Sequence, residues 1–336
     1  MTLRAVGAAA AAAAALLVAG VAAGRDPRPI QVGYRSQVFL VNPHGGARRL
    51  TGPPGGHDAP VWSHDGRRIA MSGDGIEVRA LSGSVKHRLA HSGAGVAWSP
   101  NDHRLAYVRF REVAANRYRG RLYVSDLDGN ERQVVTNGAD DALDWSRDGR
   151  TIYYLRGGLF QTKPEGIWAV PSGGGKPHRV VSDVESTSRV LVSPDGERLL
   201  FERGGKLWVA RTGGGEEREL MSAGYTGYGW LADGRVFGGQ RDGGHPVVAT
   251  VSGKRRLLGV AMRTRRYEVS PDGRRVAWTS ARDGNHSVLV LGARSDGGDL
   301  RVLARFRSKL FPEIDQLHWS PDGRRLAVVP HRHFGD

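Results

Sequence analysis

Cysteine is absent from the chain. Disulfides, thiol nucleophiles, Cys-ligated zinc and the lipid-modified cysteine of a bacterial lipoprotein are therefore excluded. Lysine is scarce, at 6 of the 49 basic residues, so arginine carries the positive charge. Apolar residues at spacing 3 and 4, the mark of amphipathic helices, do not recur. Past the first 24 residues, no stretch is long and apolar enough to span a membrane. No Gly-x-Ser-x-Gly nucleophile elbow appears. Gly175-Lys176-Pro177 and Gly253-Lys254-Arg255 lack the spacing and the Ser/Thr of a phosphate loop. His331-Arg332-His333 has no third ligand beside it, so no metal and no cofactor are expected, and residues 331–336 read as a C-terminal tail.

What is abundant is glycine, 48 of 336 residues, beside 16 prolines. That punctuation suits short strands joined by tight turns. The formal net charge is +15. It has two readings: a surface that draws anionic lipid or acidic cell-wall polymer, or the arginine bias of a GC-rich genome. Residues 1–24 stand apart. Arg4 precedes a long alanine-rich apolar run that ends in small residues at Val21-Ala22-Ala23. This is the form of a secretory signal, with an uncleaved membrane anchor as the alternative. An extracytoplasmic place is expected either way. Residues 25–34 read as a short linker.

One motif then recurs seven times. It begins with Trp62-Ser63-His64-Asp65-Gly66-Arg67-Arg68, Trp98-Ser99-Pro100-Asn101-Asp102-His103-Arg104 and Trp145-Ser146-Arg147-Asp148-Gly149-Arg150. It continues with Val192-Ser193-Pro194-Asp195-Gly196, Trp230-Leu231-Ala232-Asp233-Gly234, Val269-Ser270-Pro271-Asp272-Gly273 and Trp319-Ser320-Pro321-Asp322-Gly323. The mean spacing is about 43 residues, inside the range of a four-stranded propeller blade. Each copy reads as a hairpin, with Asp-Gly making the turn and the Trp packing between blades. A second type of hairpin lies between the copies, as in Lys206-Leu207-Trp208-Val209-Ala210-Arg211. The chain opens on a second-type hairpin, around Phe39 and Leu50, and closes on a first-type hairpin at Trp319. The two half-blades are expected to pair and seal the ring. The fold class is therefore all-β: a seven-bladed β-propeller of four-stranded antiparallel blades over residues 35–330. Six blades is the alternative if the divergent unit at Trp230 is not a blade.

The motif Trp-Ser-Pro-Asp-Gly-Arg-Arg-Leu-Ala, with Arg282-Asp283-Gly284 downstream, resembles the repeat of the TolB-like (WD40-like) propeller family. The resemblance covers nearly all of the chain after residue 24. It implies a non-enzymatic binding or scaffold protein of the cell envelope, with a protein, peptide or glycan ligand and no nucleic acid. The alternative is an extracytoplasmic lyase or hydrolase with acids and His at the channel mouth. The α/β domain that precedes the propeller in TolB itself has no counterpart in 25–34.

Blade geometry sorts residues onto two faces. Both hairpin turns of each blade emerge on one face, giving an expected ring of positive charge that includes Arg67, Arg68, Arg274, Arg275, Arg324 and Arg325. Its expected partner is anionic lipid or cell-wall polymer. The opposite face carries the blade-to-blade loops, where ligand contacts usually lie. Its candidates are His57, Asp58, Asp140, Asp141, Tyr225, Tyr228, Arg263, Arg265, Arg266, Tyr267 and Asp315. The stretches Arg109 to Gly120 and Arg156 to Glu165 are expected to be long loops at its rim. No catalytic residue is singled out.

Overall fold

The recurring turn builds the first hairpin of every blade. In the computed structural model, Ser63 Oγ donates to Asp65 Oδ1 at 2.6 Å and accepts the Arg68 N–H at 2.9 Å. Asp65 Oδ1 also takes the Arg67 N–H at 2.9 Å, while Gly66 turns the chain at φ 66°. A residue with a Cβ is strained there, which is why the position is glycine. The same bonds recur at Ser146 and Asp148, Ser270 and Asp272, and Ser320 and Asp322.

The structure describes residues 29–31, 36–52, 56–73, 75–89, 94–114, 117–157, 165–184, 189–221, 225–240, 244–260, 266–280, 287–307 and 312–332. These form seven sheets, each built on four antiparallel strands. Blade 1 comprises His57–Trp62, Arg68–Gly73, Ile76–Ala80 and Val85–Leu89, from the centre outward. Blades 2 to 6 follow in chain order. Blade 7 takes Pro312–Trp319 and Leu326–Arg332 from the end of the chain, and Phe39–Val41 and Ala47–Arg49 from its start. Phe39 faces Val328 and Val41 faces Leu326 across that seam. The Trp230 unit is a true blade, with strands Tyr225–Trp230, Val236–Gln240, Val247–Ala249 and Arg255–Leu257, so the count is seven. Among the described residues no helix is long and apolar enough to cross a membrane.

The core is distributed over the blade interfaces. Seven apolar clusters fill the seven junctions between neighbouring blades. Alternate residues of one strand serve opposite junctions: Ile69 and Met71 face blade 7, whereas Ala70 faces blade 2. Strands buried on both faces read as continuous apolar runs. Close approach also demands small residues, since a Cβ on Gly239 would lie 2.2 Å from the Tyr267 ring.

Three segments differ from expectation. Residues 109–114 and 117–120 are not loop but belong to two long paired strands, Arg104–Ala114 with Arg117–Asp126. Ile30–Gln31, in the expected linker, pairs in parallel with the outer strand of blade 6, Ile30 beside Phe306. The last strand runs to Arg332, past the expected boundary at 330.

Candidate functional site

The motif side chains join each blade to the next. The Trp98 indole donates to Val61 O at 3.0 Å, Trp145 to Ala97 O at 3.2 Å, and Trp230 to Leu191 O at 3.1 Å. Trp319 donates to Glu268 O at 3.2 Å and Trp62 to His318 O at 3.0 Å, carrying the pattern across the closing seam. An arginine completes the clasp. Arg68 lies over Trp98, 5.1 Å from its centroid, and donates to Asp102 O; Arg104 lies over Trp145 at 5.0 Å and donates to Gly149 O. Such cation–π contacts contribute about 0.5–2 kcal/mol each.

Acids at the blade junctions do similar work. Asp102 stands where most copies have glycine, at φ 57°, and is 5% exposed. Its carboxylate accepts the backbone N–H groups of His64 and Asp65 and lies 2.8 Å from His64 Nδ1, all in the preceding blade. Asp144 and Glu268 share a register position, one residue before the motif Trp or Val. Asp144 Oδ2 takes the Val192 N–H at 2.8 Å, and Glu268 Oε2 takes the Trp319 N–H at 2.6 Å. Sequence reasoning missed all three acids. The signal available was the recurrence of a carboxylate directly before the motif in two copies.

These acids titrate differently from the turn acids. The Ser146 hydroxyl and the Arg150 N–H hold the Asp148 carboxyl below its ordinary range. Loss of solvent pushes Asp144 up, outweighing the Val192 and Trp145 N–H bonds that pull it down. A carboxyl with a raised folded pKa binds its proton more tightly in the native state than unfolded. The folded state therefore gains stability as pH falls from the raised value toward the unfolded value of about 4. Denaturant titrations of the protein and of Asp144→Asn should show the difference between them shifting in favour of Asp144 from neutral pH to about pH 4. The turn acids, common to both proteins, cancel. A constant difference would show that Asp144 titrates normally.

On the loop face the structure separates the expected contacts. Tyr228 is 5% exposed; its hydroxyl accepts the Arg189 N–H at 2.8 Å and donates to Arg189 O at 2.9 Å. Burial pushes that phenol up. Tyr267 is 6% exposed and stacks edge-on against Phe237 at 6.3 Å. Both tyrosines are blade-packing residues, because each lies two positions before the motif Trp or Val and so shares its face of the strand. Asp140 is buried as well. Arg266 is exposed, and its carbonyl accepts the Thr279 N–H at 3.1 Å. His57, Asp58, Asp141, Tyr225 and Asp315 lie on innermost strands, but their side chains fall outside the described residues, as do Arg263 and Arg265 altogether.

On the turn face the ring of charge is uneven. Arg68 and Arg275 reach neighbouring blades, Arg275 donating to Pro43 O at 3.5 Å. Arg67, Arg274, Arg324 and Arg325 are exposed, with no side-chain hydrogen bond or ion pair among the described residues. The turns of blades 2 and 4 instead carry Asp126, Asp128, Glu197, Glu216 and Glu217, with Arg211 paired to Glu216.

Searches against family models find no match. Over 102 residues the chain is 33% identical to the Tol-Pal system protein TolB of Francisella tularensis subsp. holarctica, a match covering 29% of this chain and 22% of that protein. A structure assigned as TolB from Agrobacterium tumefaciens superposes with a TM-score of 0.54 at 18% identity, covering 90% of this chain and 100% of that one. An oligogalacturonate lyase from Vibrio parahaemolyticus superposes with a TM-score of 0.61 at 12% identity, covering 91% and 98%. Fold and clasps together define a closed seven-bladed β-propeller. Over those 102 residues its sequence is similar to that of TolB, and the chain spans about a fifth of that protein's length.

Proposed function

We propose that the chain is a non-enzymatic binding propeller of the cell envelope, exported by residues 1–24, with its protein, peptide or glycan ligand held on the blade-to-blade loop face. The observation supporting this is the commitment of the repeat's polar groups. The motif Trp, the turn Asp and Ser, the buried Asp102 and the half-buried Asp144 all bond within the ring. The turns and clasps make the frame, and loops carried on a rigid frame are the usual place for ligand contacts. The TolB-like repeat fits an extracytoplasmic place and protein partners.

The test is affinity capture from envelope extracts. Replacing Tyr225, Arg263, Arg265 and Arg266 by Ala, while sparing the structural Tyr228 and Tyr267, should abolish capture with an unchanged melting temperature. Undiminished capture would remove the loop face from consideration. One observation favours a second reading, a lyase or hydrolase: Glu268 Oε1 lies 3.5 Å from His318 Nδ1 on adjacent innermost strands. Turnover of a polyuronate that disappears in Glu268→Gln would select it.

A further inference from the structure

We propose that a two-stranded arm of blade 2 takes an extended acidic segment of a partner protein as an added strand. This names the chemistry of a partner for the loop face and rests on the reading of that face as the binding face.

The arm is the part of blade 2 that outruns its neighbours. The second strand, Arg104–Ala114, has 11 residues, where the second strands of the other six blades have 5 to 7. The innermost strand of the blade pairs no farther than Val108, and the outermost no farther than Leu122. Residues 109–114 and 117–121 therefore pair only with each other among the described residues. They continue the second strand away from the turn at Asn101 and Asp102, so they stand on the loop face. Six residues of strand rise about 20 Å.

Register gives the arm two unlike sides. Arg109 lies opposite Arg121, and Arg111 opposite Arg119. Opposed residues and residues two apart share a side, so four arginines stand together. Arg109 is spent within the blade: it donates to Glu131 at 2.8 and 2.7 Å and lies over Tyr123, 4.7 Å from its centroid. Arg111 and Arg119 are exposed and Arg121 is half-buried, and none of the three has a side-chain hydrogen bond or ion pair among the described residues. Like charges directly opposite destabilise a strand pair. The other side of the arm holds it in place. Phe110 packs into the junction of blades 2 and 3, and a Cβ on Gly120 would lie 1.8 Å from Ala139 O on the innermost strand of blade 3. The arginine side therefore faces away from blade 3.

Two features choose the occupant. Among the described residues no strand lies beside either edge of the arm, and an open edge is a template for another strand. The arginines recur at the two-residue period of a strand. An added strand with an acid at every second position sets its carboxylates beside them. Main-chain bonds then supply affinity, and the alternating acids select the partner. A polysaccharide or polyphosphate would answer the charge but not the edge.

The test is fluorescence anisotropy of the purified chain with a short labelled peptide of alternating Glu and Val. Binding is expected, with none for alternating Lys and Val. N-methylation of the peptide backbone keeps the charges and removes the N–H groups, so it should abolish binding. Equal binding of the methylated peptide would overturn strand addition in favour of a polyanion site. An opposite charge on an adjacent strand is worth up to about fivefold in affinity. Arg111→Ala with Arg119→Ala should therefore weaken binding roughly tenfold, with a melting temperature unchanged or raised once the opposed charges are gone. Arg111→Glu with Arg119→Glu should transfer the preference to the Lys–Val peptide. Absence of binding, or binding unchanged in both variants, would overturn the proposal. The chain with Tyr225, Arg263, Arg265 and Arg266 replaced by Ala should bind the peptide as before, whatever its envelope capture, so the arm and the loop contacts of blades 5 and 6 fail separately. Loss of peptide binding in that variant would overturn the arm as the site.

Discussion

Deleting residues 1–50 is expected to abolish the cooperative monomeric fold. The deletion removes the two outer strands of blade 7, and with them Val38, Phe39, Leu40, Val41 and Leu50, each no more than 5% exposed. Burial of such side chains contributes about 1.5–3 kcal/mol apiece, so the loss is on the order of 10 kcal/mol. A domain's whole stability is about 5–15 kcal/mol. The damage is not confined to one blade. Phe39 and Val41 pack toward blade 6, whereas Val38 and Leu40 pack toward blade 1, so two of the seven junctions fail together. The Leu326–Arg332 strand would become an open edge, which invites association. Size-exclusion chromatography should show aggregates or oligomers, and thermal melts should lose their sharp transition. Deleting only residues 1–31 removes a two-residue edge strand and should leave both nearly unchanged. A monomeric, sharply melting chain lacking 1–50 would mean that the seam does not hold the ring.

Seven copies of one turn made the fold legible, because Ser-x-Asp-Gly, kept in five of them, favours a hairpin. The pairing of the two chain ends followed from the order of hairpin types, and the register of Phe39 with Val328 bears it out. Even the divergent copy at Trp230 keeps the essential bonds, Leu231 N–H to Arg235 O and Gly234 N–H to Leu231 O. The long strand pair Arg104–Ala114 with Arg117–Asp126 was illegible for a physical reason. In the Arg104–Ala114 strand, Arg111, Glu112 and Val113 are exposed in succession, so no alternation marks that stretch. Ile30–Gln31 is too short to carry any pattern.

The candidate site was less legible, and the error had a direction. Tyr228 and Tyr267 read as loop-face residues when the blade-to-blade loops are taken to include them. Counting back by two from Trp230 and Val269 instead places both on the packed face, where they are found. Similar reasoning reinterprets the arginine doublets that follow the turns, such as Arg67-Arg68. The second arginine of a doublet looks like surface charge in sequence, yet Arg68 serves as a clasp on the next blade. Side chains that cross between blades are invisible to any reading that treats each repeat alone.

Replacing Trp145 by Ala should destabilise the protein by about 3–5 kcal/mol. The side chain is 3% exposed within the junction of blades 2 and 3. Its removal leaves a cavity among Ala97, Val124 and Ile152, frees the Ala97 carbonyl and strips Arg104 of the ring it lies over. Trp145→Phe separates these contributions. It keeps an aromatic face for Arg104 and most of the apolar volume, but loses the indole N–H. A cost of about 1–2 kcal/mol is expected for it. Chemical denaturation at fixed pH measures both. The double variant Trp145→Ala with Arg104→Ala should fall short of the sum of the singles, because the two side chains share one contact. Additive costs would show that the guanidinium and the indole act independently. In that case blade order would rest on apolar packing alone, and the recurrence of Trp at five of the seven junctions would reflect its bulk rather than the clasp.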